Sequence, residues 1–144
     1  MKKTFKIIFN SKNKKNYLVT IAIGKKCLAD LTKYAKTLWL KYYKWHSLCL
    51  IVIINDLISK EDPFWKKATW QKMLIGSHLS RSGVKINNIF YLDTDILINP
   101  NSPNVFKNHE NGKISLVSQV YGLPYNLDFI RRKISFNRNK FYSK

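Results

Sequence analysis

The sequence predicts an α/β fold, in which helices cover both faces of a mostly parallel β-sheet. Short apolar runs alternate with longer segments of helical spacing, in the order β-α-β-α-β followed by one more β. The composition is that of a folded chain, because 45% of the 144 residues are hydrophobic and 14% are aromatic. We therefore expect one α/β domain with three layers, α/β/α.

The first three elements are a strand, a helix and a second strand. Residues 17–23 form a continuous apolar run that ends at Gly24, which is typical of a buried strand. Residues 25–45 carry apolar side chains at helical spacing and lysines on the other side, which predicts an amphipathic helix. Residues 48–54 form a second apolar run before Asn55-Asp56 and predict another buried strand.

The second predicted helix begins at Asp62-Pro63, where Asp is a suitable N-cap and Pro is favoured at the first helical position. We expect it to continue to about residue 80 and to end before Gly83. Its two tryptophans, Trp65 and Trp70, are expected to pack in the core.

Three further elements follow along the chain. Residues 88–92 predict a third strand, Ser102-Pro103 predicts the start of a short helix, and residues 114–120 predict a fourth strand. The flanking segments lack such patterns, so we divide the chain into a basic N-terminal arm (1–16), the α/β domain (17–120) and a basic, loop-rich tail (121–144).

The net charge of +18, from 26 Lys plus Arg against 8 Asp plus Glu, predicts an anionic partner. An AT-rich coding sequence explains the same charge equally well, because Lys outnumbers Arg while Asn and Ile are abundant. The two cysteines, Cys27 and Cys49, are too few for a disulfide framework and are expected in the core. No segment is long enough to span a membrane, so we expect a cytoplasmic protein whose basic arm touches the anionic inner face of the membrane.

The most informative motif is Asp93-Thr94-Asp95, which lies between two apolar runs. In an extended segment, residues i and i+2 project to the same side, so both carboxylates would face one ion. Hard oxygen ligands of this kind suit Mg²⁺ or Mn²⁺, which keep positions open for phosphate oxygens. A turn with two solvated acids is the alternative, because Asp also favours turns.

Ligands of parallel sheets bind at the carboxyl ends of strands, and this rule predicts that three turns meet at one edge. They are Ala22-Ile23-Gly24, Asn55-Asp56 and Asp93-Thr94-Asp95. In the order and spacing of these segments, the chain resembles the glycosyltransferases of the GT-A fold, which bind nucleotide-diphospho-sugars through a D-x-D motif after an apolar strand. The resemblance implies a Rossmann-like fold, a UDP-sugar donor, a glycan acceptor, and Mn²⁺ or Mg²⁺.

The resemblance also implies a role for each matching residue. Ile21 and Ile23, with Ala22 between them, would flank the nucleobase, and Asp56 would lie near the uracil or ribose. Lys72 occupies the position of a basic residue, more often Arg in the family, that is directed at the metal and diphosphate. Asp93 would contact ribose and metal, and Asp95 would be the direct metal ligand; these two are also the candidate catalytic residues.

The resemblance covers residues 17–120, which correspond to the donor-binding half, and the implied fold is incomplete at the C-terminus. No counterpart of a third metal ligand, an acceptor pocket or a carboxylate base is visible after Glu110, where Asp128 is the remaining acid. We therefore expect a donor-binding module that does not turn over alone.

Two other functions compete with this one. A non-catalytic module that binds nucleic acid or an anionic surface would use Lys-rich faces and stacking aromatics, for which Tyr42, Tyr43 and Trp45 are candidates, although no specific nucleic-acid motif is present. A phosphohydrolase of the haloacid dehalogenase type also places D-x-D after a strand. It is disfavoured, because two predicted strands precede the motif here and Ile96 follows it.

Overall fold

The computed structural model describes residues 4–11, 16–110 and 112–115, and these fall into two units that divide between His109 and Glu110. In the second unit Glu110 and Lys113 form an exposed ion pair. All of the helices and strands described below belong to the first unit. No helix in the described part of the chain is long and apolar enough to cross a membrane.

Four strands form one mixed sheet in the order β1-β3-β2-β4. Their bounds are Phe5–Phe9 (β1), Asn16–Ile21 (β2), Cys49–Ile53 (β3) and Asn88–Tyr91 (β4). Strand β2 pairs in parallel with both β3 and β4, whereas β1 runs antiparallel to β3. The three strands predicted from apolar runs are therefore confirmed within two residues at each end, and the α/β class is confirmed.

Strand β1 was not predicted, because its residues were assigned to the basic N-terminal arm. Phe5 pairs with Ile53, and the register shifts between Ile7 and Phe9. The run Phe-Lys-Ile-Ile-Phe has β-branched and aromatic residues, but it is short and its middle residues are exposed, so it lacks the pattern of a buried strand. An exposed Lys6 in this edge strand fits the use of lysine to prevent pairing with other chains.

The predicted first helix is confirmed as a continuous helical segment from Lys25 to His46. It consists of α1 (Lys25–Asp30), a π-helical stretch (Leu31–Ala35) and α2 (Lys36–His46). It ends at Ser47, whose φ of 52° is left-handed, and the Leu48 amide bonds back to the carbonyl of Tyr43.

The second helical segment begins later than predicted. Asp62 does accept a hydrogen bond from the Phe64 amide at 2.8 Å, but the Trp65 amide bonds to the Asp62 carbonyl in a turn, and Lys67 is extended. Helix α3 (Ala68–Gln71) therefore starts six residues after Asp62. A 3₁₀ turn (Lys72–Leu74) leads into α4 (Ile75–Arg81), which ends before Gly83, as predicted, where φ is 78°.

Helices pack on both faces of the sheet, as the alternating directions of strand side chains require. On one face the residues Leu18, Leu50 and Val52 pack with Leu31, Ala35, Trp39, Tyr42 and Tyr43 of the first helical segment. On the other face the residues Val19, Ile51 and Ile53 pack with Ile75 and Leu79 of α4. Burial on both faces explains why β2 and β3 have continuous apolar sequences.

Three smaller predictions differ from the structure. The segment after Ser102-Pro103 forms turns instead of a helix, with the Lys107 amide bonded to the Asn104 carbonyl. Residues 114 and 115 are irregular and exposed, and the rest of the predicted fourth strand, 116–120, lies with the tail outside the described residues. Cys49 is buried as expected, but Cys27 is exposed, because the first turn of α1 contributes no buried residue.

Candidate functional site

The candidate site lies at the edge where β2, β3 and β4 end. Because these strands are parallel, their carboxyl ends lie at the same edge of the sheet. The Ala22 amide bonds to the Ile53 carbonyl at 2.8 Å, and the Leu92 amide bonds to the Val19 carbonyl at 3.1 Å, so the pairing continues to the last residues. The three turns predicted to meet at this edge follow directly, and we call them together the strand-end rim: residues 22–24, 55–56 and 93–95.

The D-x-D segment is a turn and not an extended strand, which corrects the local argument for its geometry. The Ile96 amide bonds to the Asp93 carbonyl at 3.2 Å, which closes a turn over Thr94 and Asp95. Both aspartates are exposed. Their relation therefore depends on the turn and its neighbours instead of on the alternation of side chains along a strand.

Tyr91 joins the two carboxylates electrostatically. Its hydroxyl donates a hydrogen bond to Asp93 Oδ1 at 2.7 Å. The pKa of Tyr91 is raised above its ordinary value, first by burial, then by this hydrogen bond, and then by the negative charges of Asp93 and Asp95. Both carboxylates therefore act on one hydroxyl, and Tyr91 remains a protonated donor at neutral pH.

Lys72, which belongs to a different element of the chain, lies against the ring of the same tyrosine. Its Nζ lies 5.6 Å from the centroid of the Tyr91 ring, within the range of a cation–π contact. The 3₁₀ turn that begins at Lys72 positions this side chain. The structure thus brings two predicted site residues, Lys72 and Asp93, against Tyr91, which sequence reasoning missed, and Asp95 lies in the same turn as Asp93.

Asp56 is held by a second residue that sequence reasoning missed, Gln71. The buried Gln71 amide nitrogen donates to Asp56 Oδ1 at 2.7 Å and to the Lys66 carbonyl at 2.7 Å, and its oxygen accepts from the Leu57 amide at 2.6 Å. One side chain therefore fixes the turn after β3 to helix α3. Gln71, which positions Asp56, directly precedes Lys72 in the sequence.

The remaining predicted residues lie at the end of β2. The side chains of Ile21 and Ala22 are buried in the cores on opposite faces of the sheet, and Ile23 is half-buried. A ligand at this position would meet the side chain of Ile23 and the backbone of its neighbours. Gly24, with a φ of 94°, turns the chain into α1.

Helix α2 fixes the segment that follows the D-x-D turn. The indole Nε1 of buried Trp39 donates to the Ile96 carbonyl at 3.0 Å. Tyr42 donates to the Pro103 carbonyl at 2.8 Å and accepts from the Val105 amide at 2.9 Å. Ile96, the first residue after the D-x-D turn, is therefore anchored to helix α2.

A mainly apolar cleft of about 330 Å³ adjoins the motif on the side of residues 96–99. Leu92 and Ile96, which flank the D-x-D turn, both line it, together with Tyr42 and Phe90. Neither carboxylate lines the cleft. The aspartates thus lie on the exposed rim beside an open, mainly apolar cleft.

The donor set of the rim suits a hard divalent cation that also binds ligand oxygens. Asp93 Oδ2 and the Asp95 carboxylate have no hydrogen-bond partner among the described residues, and carboxylate oxygens are the ligands that Mg²⁺ and Mn²⁺ prefer. Across residues 4–11, 16–110 and 112–115, no three His, Cys, Asp or Glu side chains form a group that could hold a metal ion. The predicted cation would therefore depend on two carboxylates and on oxygens of the ligand.

Comparison of the chain with protein-family models, with curated proteins and with solved structures found no match. Functional inference therefore starts from the residues of the strand-end rim and from the resemblance of the D-x-D motif and its upstream order.

Proposed function

We propose that this protein is the donor-binding module of a metal-dependent glycosyltransferase of the GT-A type. It binds a nucleotide-diphospho-sugar, with UDP as the expected nucleotide, and serves the transfer of the sugar to a glycan acceptor. The observation that carries the proposal is that Lys72 and Asp93 both contact Tyr91, with Asp95 in the same turn as Asp93, at the edge where parallel strands end. A turn with two solvated acids needs neither the tyrosine nor the lysine.

The charges of this cluster suit a diphosphate. Asp93 and Asp95 would hold the Mn²⁺ or Mg²⁺, and the cation would offset the negative charge that develops on the diphosphate leaving group. Lys72 adds a positive charge against the Tyr91 ring, from which it would attract phosphate oxygens of the ligand. The cluster thus combines carboxylates for the cation with an ammonium group for the anion.

Tyr91 orients Asp93. A hydrogen bond to Oδ1 at 2.7 Å leaves Oδ2 for the cation or the ribose, and the hydroxyl is a protonated donor at neutral pH, since tyrosine ordinarily ionises only near pH ~10 and the pKa of Tyr91 is raised further. The Gln71 bond to Asp56 Oδ1 has the same consequence, because it leaves Oδ2 of Asp56 for a donor group of the nucleobase or ribose. Both aspartates are therefore oriented before the ligand arrives, which reduces the entropic cost of binding.

Calorimetric titration of the full chain with UDP, in the presence and absence of Mn²⁺, tests the proposal. We expect binding that requires Mn²⁺ and that falls at least about tenfold in Asp95→Asn, since a hydrogen bond or ligand bond to a charged group contributes ~1.5–3 kcal/mol. Asp93→Asn is the sharper variant, because an amide oxygen still accepts from Tyr91 while the charge is lost. Asp30→Asn, on the exposed end of α1, is the matched control.

Three results would refute the proposal: no UDP binding by the unmodified protein, binding that ignores Mn²⁺, or equal binding by Asp95→Asn and Asp30→Asn. The competing nucleic-acid module is weakened by one observation, because two of its three candidate stacking residues, Tyr42 and Tyr43, are buried. Of these three residues, Trp45 is exposed and able to stack on a base.

A further inference from the structure

A second cleft lies outside the strand-end rim, and its walls are almost entirely apolar. It measures about 310 Å³ and is formed by the loop after β3 together with α3 and the 3₁₀ turn. We call it the apolar groove, and its apolar walls are Ile58, Phe64, Trp70, Met73 and Leu74. None of these residues has a part in the proposed donor site.

The largest side chains of the apolar groove are exposed to solvent. Phe64 is 78% exposed, Trp70 59% and Met73 80%. The expectation that Trp70 packs in the core is therefore wrong. Gln71 is the buried residue of α3 and Ile75 is buried in α4, so Trp70 is left on the outer side. A contiguous apolar surface of this kind is unfavourable in water and marks an interaction site.

The segment that forms the apolar groove carries four exposed lysines, of which Lys66 lines the groove, and we call them the lysine rim: Lys60, Lys66, Lys67 and Lys72. The acids of the same segment are Glu61 and Asp62, and both carboxylates already accept hydrogen bonds, from the Ser59 hydroxyl and the Phe64 amide respectively. Four lysines against these two acids still leave the segment with a net positive charge.

We propose that the apolar groove and its lysine rim dock onto an anionic phospholipid membrane. Tryptophan and phenylalanine insert at the headgroup level, and lysines bury their aliphatic stems there while their charges reach the phosphates. A protein partner is less well matched, since protein interfaces are enriched in Arg and depleted in Lys, and residues 58–74 contain four lysines and no arginine. A nucleic acid would satisfy the lysines but would leave Met73 and Leu74 in water.

This surface differs from the one expected on the sequence. The sequence predicts contact with anionic lipid through the basic N-terminal arm. Five lysines of that arm lie outside the described residues: Lys2, Lys3, Lys12, Lys14 and Lys15. The lysine rim lies in the same loop and helical turns as the exposed aromatics that would enter the membrane. The proposal requires no metal and no nucleotide, and its test leaves Lys72, which also belongs to the proposed donor site, unchanged.

Binding to lipid vesicles tests the proposal with the full chain. Vesicles of phosphatidylcholine alone are compared with vesicles of phosphatidylcholine and phosphatidylglycerol in equal parts, with co-sedimentation and tryptophan fluorescence as readouts. We expect binding to the anionic vesicles with a blue shift of the emission, and no displacement by inorganic phosphate. The net charge of +18 attracts any anionic surface, so matched variants are needed.

The test variant is Trp70→Ala with Lys66→Gln and Lys67→Gln. The control is Trp45→Ala with Lys41→Gln and Lys44→Gln, which removes the same residue types from α2, where Trp45 is 80% exposed. Each lysine near an anionic surface contributes about fivefold to partitioning, so loss of Lys66 and Lys67 alone predicts a fall of about 30-fold. Removal of Trp70 adds to that fall. Lys41 and Lys44 of α2 would lie away from the membrane, so their loss should weaken binding less.

Support requires that the Trp70 variant loses at least about ten times more affinity than the Trp45 variant, because distant charges act only within a Debye length. Circular dichroism checks that both variants are folded. Equal losses in the two variants would overturn the proposal, as would an absent blue shift or tighter binding to single-stranded DNA that is insensitive to Trp70→Ala. Failure of UDP to bind would leave these outcomes unchanged.

Discussion

Gln71 provides the most direct test of how the strand-end rim is held together. Its side chain is 1% exposed and makes three hydrogen bonds, to the Leu57 amide, the Lys66 carbonyl and Asp56 Oδ1. Leucine at this position has a similar volume and makes none of them. Each bond contributes ~1 kcal/mol net, and Asp56 is exposed enough to bond to water instead, so Gln71→Leu should lower the free energy of unfolding by about 2 kcal/mol.

Equilibrium unfolding in urea measures this loss. With a slope of about 2 kcal/mol per molar urea, a loss of ~2 kcal/mol lowers the midpoint by about 1 M. Gln71→Glu is the informative second variant, because its oxygens still accept from Leu57 while a negative charge is brought against Asp56. Burial and Asp56 would raise the pKa of the introduced carboxyl, so this variant should be most stable in acid and lose stability as pH rises through that pKa.

The reasoning would be refuted if Gln71→Leu changed the free energy of unfolding by less than about 0.5 kcal/mol, a change typical of surface substitutions. It would also be refuted if Gln71→Glu had the same pH dependence as the unmodified protein. Gln71→Leu with full stability would mean that the turn after β3 is held by other contacts, and that Asp56 is not oriented as we infer.

Two further substitutions test buried polar groups. Tyr43 is fully buried, and its hydroxyl has no hydrogen-bond partner among the described residues, so Tyr43→Phe should raise the free energy of unfolding by ~1 kcal/mol in urea unfolding at pH 7. Burial also raises the pKa of Tyr43, so this hydroxyl ionises at a lower pH in the unfolded chain than in the folded protein, and the free energy of unfolding falls above pH ~10. Tyr43→Phe should lose less stability in that range. A free energy of unfolding lower than that of the unmodified protein would contradict this account. Trp39→Phe removes the donor to the Ile96 carbonyl and should lower the free energy of unfolding by ~1–3 kcal/mol in the same assay. The control Trp45→Phe, on the exposed side of α2, should have no measurable effect. Equal effects of the two substitutions would argue against a stabilising bond between Trp39 and Ile96.

The sheet and the edge that carries the candidate site could be predicted from the sequence because the relevant signals are local. The runs at residues 17–23 and 48–54 are buried on both faces, so they are apolar without interruption. Parallel pairing then follows from the helix between them, and parallel pairing alone places Asp56 and Asp93 at one edge. None of these steps requires knowledge of a contact between distant side chains.

What the sequence did not predict depends on such distant contacts. Strand β1 forms because Phe5–Phe9 finds a partner in β3 more than forty residues away, and nothing in five partly exposed residues encodes that partner. The start of α3 depends on Gln71 being drawn inward by Asp56 and Leu57, which overrides the N-cap signal at Asp62. The exposure of Trp70 follows from that shift, because a different face of the helix then meets the sheet.

Tyr91 shows how the two kinds of information combine at the candidate site. Its position two residues before Asp93 is visible in the sequence, but an aromatic residue in an apolar strand is ordinarily a core residue. Its hydroxyl and ring acquire a role only when the fold brings Lys72, nineteen residues earlier in the chain, against the same ring. An exposed acid pair that served only as a turn would gain nothing from a donor held in a half-buried position. The conjunction of the three groups is therefore the strongest structural argument that the strand-end rim binds a cation and an anion together.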